Sequence, residues 1–248
     1  MDNIIHAFSN GVRVYRKHLL DLQLERYAKT NLHEPVEEKW FLYCINLCHH
    51  VDCAFLDVGA GIGYYSILAL LQCHEMEVHA YEPNESLRQN LMDNINLNNF
   101  DSSSIICHPE ALADRCGERK FLHRDYSSVL LSDSNCFFDP ITSFFISKRH
   151  HTQITSVTTT TIDNEIGRLS KPIELMKIDV QGAELEVLLG AQASLYDNHI
   201  RHLIVGTHSG AIHESCVKLL EKFPYRFLYN NDNVTGQPDG LIVAQAIA

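Results

Sequence analysis

The stretch Phe55-Leu56-Asp57-Val58-Gly59-Ala60-Gly61-Ile62-Gly63-Tyr64-Tyr65-Ser66 decides the fold, together with the later Tyr81-Glu82-Pro83-Asn84. Apolar residues 55–58 predict a buried strand, and the alternating glycines allow positive φ angles and close backbone approach before a helix from Tyr64. Free N–H groups at that helix start would bind a ligand carboxylate or phosphate. Glu82, at the end of the next strand, is placed to accept hydrogen bonds from ribose hydroxyls. The sequence therefore predicts a nucleotide-binding cradle.

The residues around the glycines indicate which nucleotide is bound. A dinucleotide fingerprint needs a small residue at its last position, where this chain has Tyr64 or Ser66. Asp57, immediately before the glycines, would repel a pyrophosphate and favours a ligand with an ammonium group. S-adenosylmethionine meets both conditions, and its positively charged sulfonium suits an acidic protein.

Four blocks give the chain a family resemblance. They are residues 55–66, 80–84, 108–114 and 176–184, with Thr160-Thr161-Ile162-Asp163 upstream of the last. The chain resembles the class I S-adenosylmethionine-dependent methyltransferases and, more narrowly, the FkbM family. The block Met176-Lys177-Ile178-Asp179-Val180-Gln181-Gly182-Ala183-Glu184 is the most specific, and the resemblance extends from residue 53 to about residue 208.

The resemblance implies positions for the cofactor. Asp57, Gly59 and Gly61 would hold its methionine part, Glu82 its ribose, and Glu110 and Ala111 would border its adenine. The full predicted cofactor-binding set is Asp57, Gly59, Ala60, Gly61, Gly63, Tyr64, Tyr65, Glu82, Pro83, Glu110, Ala111 and Asp179.

Two departures from the family pattern leave other functions open. The family usually has Glu where Gln181 stands, and commonly has Glu where Gly206 stands. A protein that binds the cofactor without catalysis is therefore one alternative. An NAD-dependent oxidoreductase is another, although Tyr64 in the glycine motif disfavours it.

Two polar residues follow predicted strands and are the catalytic candidates. Ligands of open parallel sheets lie beyond the carboxyl ends of the strands, where Asp179 and His208 stand. Methyl transfer to an oxygen requires a base near the hydroxyl, and an imidazole titrates close to neutral pH. His208 is therefore the preferred base, although the chain has 15 histidines. The resemblance implies O-methylation, and we expect a hydroxyl of a small metabolite or sugar as acceptor.

Composition excludes several classes of protein. A net charge of −11 argues against general binding of nucleic acid. The eight cysteines contain no Cys-x-x-Cys pair, and Asp179 has no second acid at a spacing that suits magnesium, so no metal is expected. Charged residues near the start interrupt any signal-peptide core, and Asp57 with the glycines interrupts the apolar run of residues 53–73. These features predict a cytoplasmic protein that does not interact with membranes.

The order of the predicted elements gives the fold class. Alternating strands and helices from residue 53, among them a helix over residues 183–195, predict an α/β protein of Rossmann-like class I methyltransferase fold. Its mostly parallel seven-stranded sheet would carry helices on both faces and end in an antiparallel hairpin. Residues 1–50 predict a helical cover, and residues 51–248 a core that forms one folding unit with it. An insertion at about 115–165, which contains the aromatic residues Phe137, Phe138, Phe144 and Phe145, predicts either a substrate lid or an added hairpin.

Overall fold

The fold was analysed in a computed structural model. The structure describes residues 4–47, 52–123, 128–131, 153–235, 237 and 239–247. The strands are β1 (Ile5–Ala7), β2 (Arg13–Tyr15), β3 (Ala54–Val58), β4 (Glu77–Tyr81), β5 (Ile105–His108), β6 (Ala111–Leu112), β7 (Gly117–His123), β8 (Val129–Leu130), β9 (Gln153–Thr160), β10 (Ile173–Ile178), β11 (Ile200–Thr207), β12 (Tyr225–Asn231) and β13 (Gly240–Ala246). The helices are α1 (Asp21–Thr30), α2 (Pro35–Asn46), α3 (Tyr64–Gln72), α4 (Glu85–Leu97), α5 (Ile162–Ile166), α6 (Glu184–Leu189), α7 (Gln192–Tyr196) and α8 (Gly210–Leu220).

The central sheet has seven strands in the order β12-β13-β11-β10-β3-β4-β5. Its strands β11, β10, β3, β4 and β5 run parallel, and β13 pairs antiparallel with both β11 and β12. The predicted mostly parallel sheet with a final antiparallel hairpin is therefore confirmed. Strands β3 and β10 lie side by side, in a register that sets Asp57 beside Lys177.

Two apolar cores lie on opposite faces of this sheet. Residues of α2, α3 and α4 form one core, and residues of α6, α7 and α8 form the other. Strand β3 contributes Phe55 to the first core and Leu56 to the second, because successive side chains of a strand point to opposite faces. The prediction of helices on both faces is confirmed.

The start of the chain differs from the prediction of helices throughout residues 1–50. Strands β1 and β2 form an antiparallel hairpin, and the first α-helix begins only at Asp21. The side chain of Asn10 accepts a hydrogen bond from the N–H of Val12 at 3.1 Å and closes the turn at Asn10-Gly11. This turn signal outweighed the near-helical spacing of the apolar residues.

The helix predicted over residues 183–195 is divided into α6 and α7. The division falls at Gly190 and Ala191. A Cβ atom on Gly190 would lie 2.0 Å from the carbonyl oxygen of Ala113, so this position requires glycine for a close backbone approach. The sequence did not reveal the division because the contact joins residues far apart in the chain.

The described strands of the insertion, β7, β8 and β9, form a second, smaller sheet with β6, in the order β6-β9-β7-β8. Its strands β7 and β9 pair antiparallel over Gly117–His123 and Gln153–Thr160, and Phe121 and Leu130 pack with Ala183 of the core. These residues correspond to the added hairpin among the two alternatives. The four aromatic residues of the predicted lid, Phe137, Phe138, Phe144 and Phe145, lie outside the described residues, so the lid remains a prediction.

Substitution of Gly59 tests the junction of β3 and β10. A Cβ atom there would lie 1.9 Å from the carbonyl oxygen of Asp179, and the residue has φ of +81°. Gly61 also has positive φ, but beyond its two chain neighbours no atom of the described residues lies within 4 Å of its Cβ position. We expect Gly59→Ala to lower the free energy of unfolding by about 2 kcal/mol more than Gly61→Ala, because overpacking adds to the backbone strain. Urea denaturation followed by circular dichroism measures both, and equal losses would contradict the proposed close approach.

Candidate active site

A cavity of about 250 Å³ lies at the carboxyl ends of β3, β4 and β10. The predicted residues that line it are Asp57, Gly59, Ala60, Gly61, Tyr64, Tyr65, Glu82, Pro83, Glu110, Ala111 and Asp179. Two predicted site residues, Gly63 and His208, are not among the lining residues. Gly63 is the N-cap of α3, and a Cβ atom there would lie 2.7 Å from Cγ of Leu91, so it allows α4 to pack closely.

Glu82 is held rigidly beside the glycine turn. Its Oε2 accepts a hydrogen bond from the N–H of Gly61 at 2.9 Å, and its Oε1 accepts one from the N–H of Asn84 at 2.8 Å. Burial raises the pKa of Glu82 to about 7, although these two hydrogen bonds oppose the shift. Each carboxylate oxygen retains capacity for one more donor, so the group is suited to two neighbouring hydroxyls.

The backbone N–H groups of the glycine turn are already used within the protein. Those of Gly59 and Ala60 donate to the carbonyl of Tyr81 at 2.9 and 3.2 Å. Gly61 donates to Glu82, as described above, and Gly63 donates to the carbonyl of Ala60 at 2.8 Å. These four groups are therefore not free to bind an anion, whereas the helix-start donors of the prediction begin at Tyr64.

Asp57 lies at the floor of the cavity and is almost fully buried. The hydroxyl of Ser66 donates a hydrogen bond to its Oδ2 at 2.7 Å. Burial raises the pKa of Asp57, and the nearby Lys177 and Ser66 oppose this effect. A cation that enters the cavity would stabilise the ionised carboxylate in the same way.

Lys177 is a functional candidate that the sequence analysis did not single out. Its Nζ lies 3.2 Å from Glu37 Oε1 and 3.2 Å from Asp179 Oδ2, and 4.5 Å from the centre of the Tyr65 ring. Burial would lower the pKa of Lys177, but the surrounding acids, Asp179 and Glu37 foremost, raise it well above its usual value. The sequence did contain a signal for Lys177. It stands within an apolar strand, and a lysine is rarely buried without a partner.

Two tyrosine hydroxyls attach the N-terminal cover to the core. The hydroxyl of Tyr64 donates to Glu38 Oε1 at 2.8 Å and accepts from Asn10 Nδ2 at 2.7 Å. The hydroxyl of Tyr65 donates to Glu34 Oε2 at 3.4 Å. The cover forms one wall of the cavity through Phe8, Leu19, Gln23, Arg26, Tyr27, His33 and Glu34.

The two positions that depart from the family pattern both lie near the cavity. Gln181 lines it, in a left-handed conformation with φ of +55°. Gly206 presents no side chain, but Glu37 Oε2 lies 3.6 Å from the place its Cβ atom would occupy. Helix α2 therefore supplies a carboxylate beside this position.

His208 lies within a group of three carboxylates. Its Nδ1 is 2.8 Å from Glu184 Oε1, and its Nε2 is 3.5 Å from both Asp179 Oδ1 and Asp239 Oδ1. The structure thus brings the two catalytic candidates together and adds Glu184 and Asp239. Burial would lower the pKa of His208, but the hydrogen bond with Glu184 and the other acids raise it to about 9.

Three polar atoms of this group are buried without a hydrogen-bond partner among the described residues. They are Asp179 Oδ1, Glu184 Oε2 and His208 Nε2. Buried polar atoms usually have such a partner, so these atoms mark a place where a ligand group fits. Burial would raise the pKa of Asp179, but Lys177 and His208 lower it, so the group is a carboxylate at neutral pH.

Among the described residues, no group of three or more His, Cys, Asp or Glu side chains is arranged to hold a metal ion. No helix in the described part of the chain combines the length and apolar character needed to cross a membrane.

The sheet order and the cavity at its carboxyl edge define a Rossmann-like class I methyltransferase fold. The Methyltransferase FkbM domain matches residues 57–227, and the chain belongs to this family.

Two solved structures share the fold. An FkbM methyltransferase from Methylobacillus flagellatus KT has a TM-score of 0.51 and 14% identity, over 92% of this chain and 56% of that one. An rRNA methylase from Streptococcus thermophilus has a TM-score of 0.51 and 8% identity, over 85% of this chain and 95% of that one. At these identities the similarity concerns the fold alone.

A curated relative is much longer than this chain. The AMB antimetabolite synthetase AmbE of Pseudomonas aeruginosa is 26% identical over 180 residues, which represent 63% of this chain and 8% of AmbE. The chain also spans little more than half of the FkbM methyltransferase from Methylobacillus flagellatus.

The charge on His208 is directly measurable. Its pKa is raised from 6.5 to about 9, so its stabilising contribution is complete below about 6.5 and is lost as pH rises through about 9. We expect Glu184→Gln to lower the pKa of His208, because it removes a charged hydrogen-bond partner, whereas the exposed Glu214→Gln leaves it unchanged. Histidine NMR titration, with His208→Gln to assign the signal, checks this. A pKa near 6.5 in the unaltered protein would contradict the proposed charge cluster.

Proposed function

We propose that this protein transfers the methyl group of S-adenosylmethionine to a hydroxyl group of a small metabolite or sugar. The observation that carries the proposal is the position of two buried acids, Asp57 and Glu82, on either side of the glycine turn in one cavity. Membership of the FkbM family supports methyl transfer. The cofactor and the acceptor are inferred from the residues of the cavity.

The cavity offers a separate group for each part of the donor. Glu82 would accept hydrogen bonds from the ribose hydroxyls, and Glu110 with Ala111 would border the adenine. Asp57 and Asp179 would pair with the positively charged amino group. The bound cofactor supplies an electrophilic methyl group, so the protein needs to align the acceptor and exclude water.

His208 and Asp179 are the residues proposed to act on the acceptor. The carboxylate of Asp179 would accept a hydrogen bond from the hydroxyl and orient it. His208 would take up the proton, as the sequence predicted, but its pKa of about 9 means that it must first lose the proton it carries at neutral pH. This requirement gives the base assignment a clear pH signature.

Charge supports the proposed class of acceptor. The net charge of −11 favours a small molecule or a glycan over nucleic acid, even though one structural neighbour is an rRNA methylase. A cytoplasmic location is part of the proposal, and free thiols such as those of Cys44, Cys73, Cys107, Cys116 and Cys216 are typical of a reducing compartment.

Calorimetry with the demethylated cofactor tests the donor site. We expect S-adenosylhomocysteine to bind and NAD to give no heat. Glu82→Gln is expected to weaken S-adenosylhomocysteine binding about 10-fold or more, because hydrogen bonds to a charged group contribute about 1.5–3 kcal/mol. Glu85→Gln, at an exposed position nearby, is the matched control and is expected to bind normally. Heat with NAD alone would instead support the oxidoreductase.

The pH dependence of methyl transfer tests the catalytic residues. A panel of sugars and small alcohols is screened with donor carrying a labelled methyl group, and an accepted hydroxyl is then used at saturation. We expect kcat to rise with pH toward about 9, because deprotonated His208 is the active form. His208→Gln is expected to lower kcat about 100-fold and to remove this rise.

Asp179→Asn completes the comparison. It is expected to lower turnover through loss of acceptor alignment while the pH-dependent rise remains. A pH profile of the unaltered protein that is flat between 6 and 9 would rule out His208 as the base. Unchanged turnover in both variants with intact cofactor binding would favour a different set of catalytic residues.

A further inference from the structure

Arg26 is a cation of the cavity wall that no part of the proposed reaction has used. It lies on α1, outside the residues matched by the family, and lines the cavity with Glu34 and Tyr27. Its guanidinium carbon lies 5.4 Å from the centre of the Tyr27 ring. Its Nε is buried and has no hydrogen-bond partner among the described residues. Burying an arginine donor without a partner is costly, so this atom calls for an explanation.

The charges of the cavity distinguish Arg26 from the other cation there. Among the described residues, the lysine and arginine side chains that line the cavity are Lys177 and Arg26. Lys177 forms ion pairs with Glu37 and Asp179, whereas Arg26 forms no ion pair with a described carboxylate. Arg26 is therefore the cation available to an entering anion.

The proposed donor carries an anion that needs a partner. Its amino acid end has a carboxylate as well as an amino group, and Asp57 and Asp179 suit only the amino group. The N–H groups of Gly59, Ala60, Gly61 and Gly63 all donate within the protein. These four donors of the glycine turn are therefore not free to bind the carboxylate.

We propose that Arg26 binds the carboxylate of the amino acid end of S-adenosylmethionine. This inference rests on the proposed function. A guanidinium suits the task because its planar N–H groups match the two oxygens of a carboxylate. The N-terminal cover would thereby take part directly in cofactor binding. Helix α1 would supply the cation, and the glycine turn would form the adjoining wall of the cavity.

Two adenosine ligands distinguish contacts with the amino acid end of the cofactor from contacts with its adenosine. S-adenosylhomocysteine contains the amino acid end, whereas 5′-methylthioadenosine has the adenosine and the sulfur but lacks it. We expect Arg26→Gln to weaken S-adenosylhomocysteine binding about 10- to 100-fold in calorimetry, because a charge-assisted pair is lost. Binding of 5′-methylthioadenosine is expected to be unchanged. Lys29→Gln, an exposed change on the same helix, is the matched control and is expected to affect neither ligand.

A second variant distinguishes loss of the carboxylate contact from a general loss of folding. Arg26→Lys keeps the charge without the planar fork, and we expect its affinity for S-adenosylhomocysteine to fall between those of the unaltered protein and Arg26→Gln. Equal weakening of both adenosine ligands in Arg26→Gln would overturn the proposal, because it would show a general effect on the cover. Unchanged binding of S-adenosylhomocysteine would also overturn it.

Ligand binding by the unaltered protein distinguishes failure of the Arg26 proposal from failure of the proposed function. If it binds S-adenosylhomocysteine and only the Arg26 variants fail to show the expected difference, the Arg26 assignment is wrong and the methyl-donor site stands. If the unaltered protein binds neither adenosine ligand, the proposed function is wrong and the Arg26 assignment fails with it.

Discussion

The close approach of the β3–α3 turn to the end of β10 is the constraint on which the site depends. The N–H of Asp179 donates to the carbonyl of Val58 at 2.9 Å, and the carbonyl of Asp179 occupies the space that a side chain on Gly59 would need. This contact holds Asp57 and Asp179 at one edge of the sheet. A side chain at residue 59 would separate the two strand ends and enlarge the gap between the acids.

The charges around this contact depend on one another. Lys177 would be costly to bury alone, and Glu37 and Asp179 would be equally costly without a cation. Together they form a network that joins α2 to the central strand β10. Lys177 Nζ lies 3.2 Å from a carboxylate oxygen of each acid. The same dependence applies to His208, which the neighbouring acids hold in its protonated form. The protein thus fixes carboxylates at the cavity edge by means of buried cations.

Sequence reasoning identified the core of the fold because its signals are local. Apolar runs, the glycine turn and the acids after strands each lie within a few residues of one another, so the sheet and its final hairpin were predicted correctly. The structure places Asp57 and Glu82 in the lining of one cavity. The predictions were wrong where turn chemistry or contacts between distant residues determine the local structure. The hairpin closed by Asn10 and the division at Gly190 against Ala113 depend on turn chemistry and on a contact across the fold.

The sequence by itself determined the strand, the glycine turn and the acidic strand end that line the cavity, because they are encoded in two short stretches. It also placed Asp179 and His208 at the same edge, since parallel strands end together. Only the tertiary structure decided the charge states and partners of these residues. The pKa of His208 depends on Glu184, Asp179 and Asp239, which meet it only in the folded chain. Arg26 likewise became a candidate only when folding brought α1 over the cavity, because electrostatic partners are set by distance in space.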